Sequence, residues 1–163
     1  MRSSYLSYID RVTVIGARSD HALTIVQLDG TEPAFPDLLP FAPAYEKGMV
    51  SITEKVEQGS VPELVAENNS DLSVLLLEGE ILLGAKQNRT LNSSILLPPH
   101  SRTIIPVSCV ERGRWSYRRK DFTPSDLFVG GHVRSALGIS VNMSVRENQM
   151  FRSDQQKVWS EVD

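Results

Sequence analysis

The chain contains one cysteine, Cys109, so it forms no internal disulfide and its fold must rest on an apolar core. Its three histidines, His21, His100 and His132, stand far apart, and no CxxC, HxH or HxxxH spacing occurs. The usual frameworks of a zinc site are therefore missing, and no metal is expected. No apolar run approaches the roughly 18 to 20 residues that a membrane-spanning helix needs, and the N-terminal MRSSYLSYID lacks the apolar stretch of a secretory signal. Cationic excess is missing too: 17 Lys and Arg against 20 Asp and Glu leave a net charge of -3, too little field to hold a polyanion. Phosphate loops, dinucleotide fingerprints, nucleophile elbows and paired-carboxylate hydrolase motifs do not occur, and no cofactor is implied. These absences describe a cytoplasmic protein that takes neither nucleic acid nor membrane as partner.

What is present is a chain of 163 residues, 40% hydrophobic, which suffices for one substantial core. We expect a single domain over 1–163, with a β core over 23–117 and a helical extension over 124–163 that is cut short at its C-terminal end. RVTVIG and LTIVQL read as strands, the second stopping at Asp29-Gly30. TEPAFPDLLPFAP carries Pro33, Pro36, Pro40 and Pro43, which exclude a central strand or a long helix. Pro43 suits the start of a single helical turn that ends before Gly48.

From Met49 onward short apolar runs follow at close intervals: MVSITEKV, ELVAEN, SVLLLEGEILLG, SSILLPP and RTIIPVSCV. Gln58-Gly59-Ser60, Asn68 to Asp71, Glu78-Gly79, Pro98 to Ser101 and Arg112-Gly113 separate or end them as turns. This spacing predicts a mainly β fold, an antiparallel β-sandwich or a jelly-roll-like barrel with short peripheral helices and a C-terminal helix. Ser73 to Leu77 reads as a central strand, whereas Pro106 implies an edge or a bulge. A short helix is expected over His132 to Ile139. A C-terminal helix is expected to open on a Ser153/Gln156 capping box.

Between the apolar runs lies GAKQNRTLNSS, Gly84 to Ser94. Read as one strand, it puts Lys86, Asn88, Thr90 and Asn92 on one face and Gln87, Arg89, Leu91 and Ser93 on the other. That ribbon is either a solvated face or the wall of a groove for a polar ligand, and Glu78 and Glu80 would stand beside its cations. A second candidate, PVSCVERGRW, offers Cys109 as a thiol near Arg112 and Arg114, Glu111 as a polar contact, and Trp115 as a stacking surface. A buried Cys109 between two valines is the simpler reading.

The block LLLEGEILLGAKQNRTLNSSILLPPHSRTIIPVSCVERGRW, Leu75 to Trp115, resembles the ARG and Rhodanese-Phosphatase-superfamily-associated protein domain family, in its GE, GAKQNR, LN and IPVSC elements and the following E and W. The likeness extends more loosely from Leu23 through SDQQKVW. It implies a prokaryotic domain connected to ADP-ribose or phosphate chemistry, with shared polar residues at Glu78, Glu80, Lys86, Gln87, Asn88, Arg89, Asn92, Ser108, Cys109 and Glu111.

Three functional expectations follow. The first is a non-catalytic module for a small polar, phosphorylated or ADP-ribose-like ligand, bound by Lys86, Gln87, Asn88, Arg89, Asn92, Glu111 and Trp115. The second is a hydrolase of ADP-ribosyl or phosphoester linkages using Glu78 or Glu80, with Cys109 as a further catalytic candidate. The third makes the polar run a buried network that fixes strand register within a longer protein. An exposed sheet edge would also permit a homodimer.

Overall fold

The computed structural model describes residues 9–30, 37–56, 62–148 and 150–162. It divides into two units, Met1–Pro36 and Asp37–Asp163. In the first, β1 (Thr13–Asp20) and β2 (Leu23–Asp29) form an antiparallel hairpin. The register slips between Val14 and Gly16, so Ile15 is a bulge residue.

The second unit contains β3 (Leu38–Pro40), α1 (Phe41–Glu46), β4 (Val50–Glu54), β5 (Glu63–Asn68), β6 (Ser73–Leu76), β7 (Glu80–Gly84), β8 (Arg89–Leu91), β9 (Ile95–Leu97), β10 (Ser101–Cys109) and β11 (Asp121–Phe128). Two helices follow, α2 (Gly131–Asn148) and α3 (Gln155–Val162). Six strands close into a barrel in the order β10-β5-β4-β11-β7-β8, and β3, β6 and β9 form a separate three-stranded sheet. Of the two expected architectures, the barrel is the one formed. β6 is the central strand of its sheet, parallel to β3 and antiparallel to β9.

The apolar runs fill the interior: Ile52, Leu64, Leu82, Leu91, Ile105 and Phe122 are completely buried, and Phe41 of α1 joins the same cluster. α1 ends as its sequence requires, with the N–H of Lys47 donating to the Pro43 carbonyl and Gly48 at φ +68. Pro106 lies where β10 changes partner. Ser101 to Pro106 pair with β5, and Val107 to Cys109 pair with β8. A residue without an N–H suits this switch, where the ladder on one side stops.

Several expectations are corrected. Leu23–Asp29 pairs with β1 rather than entering the barrel, whereas Asp121–Phe128 is a barrel strand, so the helical part begins at Gly131 instead of residue 124. α2 runs for 18 residues rather than from His132 to Ile139. Gly131 opens that helix. Val133, Leu137 and Val141, spaced four apart, then bury one face against Val158 of α3. Ser153 does not cap α3; the Asp154 carboxylate does, accepting the N–H groups of Gln156 at 3.1 Å and Lys157 at 3.3 Å. The expected turn Gln58-Gly59-Ser60 falls outside the described residues. No helix among the described residues is long and apolar enough to cross a membrane.

Candidate functional site

Antiparallel register fixes which strand ends coincide. Glu54 lies opposite Leu64, Asp121 opposite Thr53, Phe122 opposite Gly84, and Cys109 opposite Arg89. One end of the barrel therefore gathers the last residues of β4, β7 and β10 with the first of β5, β8 and β11. Of the two segments singled out in the sequence, Gly84 to Ser94 and Pro106 to Trp115, the parts 84–89 and 109–115 lie here.

Gly84–Ser94 is not one strand. Gly84 at φ +138 and Ala85 at φ +43 break β7, and the chain turns back through Lys86–Asn88 into the three residues of β8. No side chain fits at Gly84, because a Cβ would lie 2.4 Å from the Asp121 carbonyl oxygen. The Asn88 side chain closes the turn, its Oδ1 accepting the Gly84 N–H at 3.2 Å. Alternation thus fails as a guide, and the residues part company according to where the turn sends them.

Arg89 goes inward and is completely buried. Its Nη1 donates to Gln87 Oε1 at 3.0 Å and to Cys109 Sγ at 2.8 Å. Its Nη2 stands 3.8 Å from the carboxylate of Glu54, whose side chain is only 5% exposed. Among the described residues Arg89 Nε and Nη2 have no hydrogen-bond partner, so the guanidinium is held by charge as much as by geometry. It also lies over the Trp115 ring, 5.7 Å from the centroid. Lys86 Nζ stands 5.5 Å from the same ring centroid and 4.9 Å from that of Tyr117. Burial pushes the Cys109 thiol up, against a smaller opposing effect of Arg89.

Glu111 fastens the two loops together. Its carboxylate accepts the Asn88 N–H at 3.0 Å and both forks of Arg114, each at 2.7 Å. Arg114 also donates to the carbonyls of Ala85 at 2.8 Å and Ser116 at 2.7 Å. Hydrogen bonding from Arg114 holds the Glu111 carboxyl below the ordinary range despite partial burial.

Beside this clamp lies a cavity of about 670 Å³, lined by Thr53, Glu54, Lys55, Val56, Tyr117 and Lys120. Lys55 is tied to Glu63 at 2.6 Å. Lys120 is exposed and has no ion-pair partner among the described residues. Glu54 joins the two parts of the site, forming cavity wall on one side and facing Arg89 on the other.

The remaining sequence candidates lie elsewhere. Asn92 is buried and turned toward the C-terminal segment, its Oδ1 accepting Ser108 Oγ at 2.6 Å and its Nδ2 donating to the Phe151 carbonyl at 3.0 Å. Glu78 and Glu80 lie toward the other end of β7 from the Lys86 turn, and although Arg89 pairs with Leu82, two residues along from Glu80, its guanidinium meets Glu54, Gln87 and Cys109 instead of either carboxylate. Glu80 accepts the Leu77 N–H at 2.9 Å, and burial raises its carboxyl. Sequence reasoning missed Glu54, which sits in an unremarkable alternating strand, and Gln155, whose setting reads as helix capping.

No curated protein and no solved structure matches the chain. Residues 11–163 match a family described as the ARG and Rhodanese-Phosphatase-superfamily-associated Protein domain. The match takes in the hairpin, the barrel with its buried arginine and the C-terminal helices, and the chain belongs to that family.

Proposed function

We propose that the protein is a binding module for a small anionic ligand of the phosphorylated or ADP-ribose-like class, seated in the cavity at the end of the barrel. The observation that carries this reading is the cavity itself. Its volume of about 670 Å³ lies within the roughly 300–1,000 Å³ usual for small-molecule sites. Lys120 supplies an uncommitted ammonium at its wall, and the Lys86 ammonium lies over the Tyr117 ring beside it. Tyr117 gives a planar moiety a surface. Arg89 serves from behind: fully buried, it touches no ligand and instead holds Glu54 against the barrel. The family's association with ARG and rhodanese-phosphatase superfamily proteins favours a phosphate-bearing ligand. The distance of Glu78 and Glu80 from this cavity argues against a hydrolase built on those carboxylates.

Calorimetric titration with ADP-ribose, ADP and pyrophosphate tests the reading. Lys120→Ala combined with Lys86→Ala is expected to weaken binding by about tenfold per cation removed, as loss of a charge-assisted contact implies. Equal affinity in the double variant would remove the assigned contacts. No binding by the wild-type protein would remove the ligand class.

A further inference from the structure

The barrel has a seam. The β5 ladder ends at Pro106, so the edge of Val107–Cys109 that faces away from β8 has no strand partner among the described residues. The first of its groups is met by backbone, the Val107 N–H donating to the Pro62 carbonyl at 3.0 Å. At Cys109 a side chain takes over. Gln155 Oε1 accepts the Cys109 N–H at 2.8 Å, and Gln155 Nε2 donates to the Cys109 carbonyl at 2.9 Å. A carboxamide presents the same donor and acceptor as a peptide group, so Gln155 stands in for the missing rung of a β ladder. Alongside it, Ser153 Oγ meets Ser108 Oγ, which in turn donates to Asn92 Oδ1 at 2.6 Å, and Asn92 donates to the Phe151 carbonyl. Val158, completely buried, anchors the helix beyond.

We propose that Phe151–Gln155 is a strap that positions the buried Arg89 through Cys109, and thereby sets the cavity wall at Glu54. The connection is continuous. Gln155 fixes the Cys109 backbone, Cys109 Sγ accepts Arg89 Nη1, and Arg89 Nη2 faces the Glu54 carboxylate that lines the cavity. Gln155 and Ser153 are positioning residues and touch no ligand. Lifting the strap exposes the edge of β10, frees Cys109 and loosens the guanidinium from Trp115. The coupling to ligand rests on the function proposed above, whereas the strap and its hold on Arg89 do not.

Two measurements need no ligand. Cys109 is the sole cysteine, so its rate of reaction with a disulfide reagent reports opening of the strap. Loss of two hydrogen bonds in Gln155→Ala is expected to raise that rate about tenfold to a hundredfold in the absence of denaturant. Gln155→Glu, which still accepts the Cys109 N–H but cannot donate to the carbonyl, is expected to fall between. With Trp159→Phe as background, Trp115 is the sole tryptophan, and its emission is expected to shift to the red when Gln155→Ala releases Arg89. An unchanged labelling rate, or labelling with the full urea dependence of global unfolding, would overturn the strap. Faster labelling with unaltered Trp115 emission would overturn its hold on Arg89.

ADP-ribose supplies the third arm. Where the wild-type protein binds it, Gln155→Ala is expected to bind it several-fold more weakly, and bound ligand to slow Cys109 labelling by the reciprocal factor. Equal affinity would overturn the coupling. Absence of wild-type binding sinks the functional reading, and the first two measurements still decide the strap.

Discussion

Arg89→Met is expected to lower the stability of the protein by about 3–5 kcal/mol, the usual cost of removing one member of a buried ion pair. The guanidinium is wholly inaccessible and the Glu54 side chain is 5% exposed, so deleting the cation leaves a carboxylate in a poorly solvated place without the charge 3.8 Å away. Gln87 Oε1 and Cys109 Sγ lose their donor in the same step. Methionine nearly restores the volume, so the loss is electrostatic rather than a cavity effect. Urea unfolding of four proteins, wild type, Arg89→Met, Glu54→Met and the double variant, gives the coupling directly. The double variant is expected to recover most of the loss, because two apolar groups of similar shape need no counter-charge. Additive losses would mean that the two side chains do not act as a pair.

Phe122→Ala is expected to cost about as much, roughly 3–5 kcal/mol, for a different reason. The ring is completely buried, and its residue sits at one of the two shortest ladders of the barrel, β4–β11 and β7–β8 each having two paired residues. β11 joins β4 through only Asp121 opposite Thr53 and Phe122 opposite Ile52, while Phe122 also lies opposite Gly84 of β7. Truncation removes the packing that holds these strands together. Hydrogen exchange should then show the amides of β4 and β11 opening well before those of β5 and the adjoining half of β10, which share a longer ladder. Uniform loss of protection around the barrel would contradict the idea of a weak seam.

The sequence made most of the strands legible because their boundaries are chemical. Gly48 ends α1, Glu78-Gly79 turns β6 into β7, and Pro98 to His100 stop β9. Pro106 was readable as an interruption of a ladder, although only the structure shows that the ladder changes partner there instead of running along a sheet edge. α2 runs beyond the expected His132 to Ile139 because what decides its length is the apolar face of Val133, Leu137 and Val141 packing on Val158. That contact joins residues distant in sequence and leaves no local mark.

The site divides along the same line. Clustering of polar residues between Gly84 and Ser94 drew attention to a segment that begins at this end of the barrel, but period-two alternation assigned the faces wrongly, since Gly84 and Ala85 take positive φ and turn the chain. Lys86 is left near the cavity, Arg89 is sent into the barrel, and Asn92 is sent to the strap. Glu54 and Gln155 were illegible for a physical reason. A carboxylate in an alternating strand and a glutamine after a serine and an aspartate look ordinary until closure of the barrel brings them to Arg89 and Cys109.

Backbone amide shifts of the isotopically labelled protein, followed while ADP-ribose or pyrophosphate is added, address most directly whether the barrel end gathered around Arg89 is where the ligand sits. Saturable changes are expected to concentrate at Thr53–Val56 and Tyr117–Lys120, with Glu78 and Glu80 at the far end of β7 unaffected. Changes that centre on Glu78 and Glu80, or none that saturate, would contradict it.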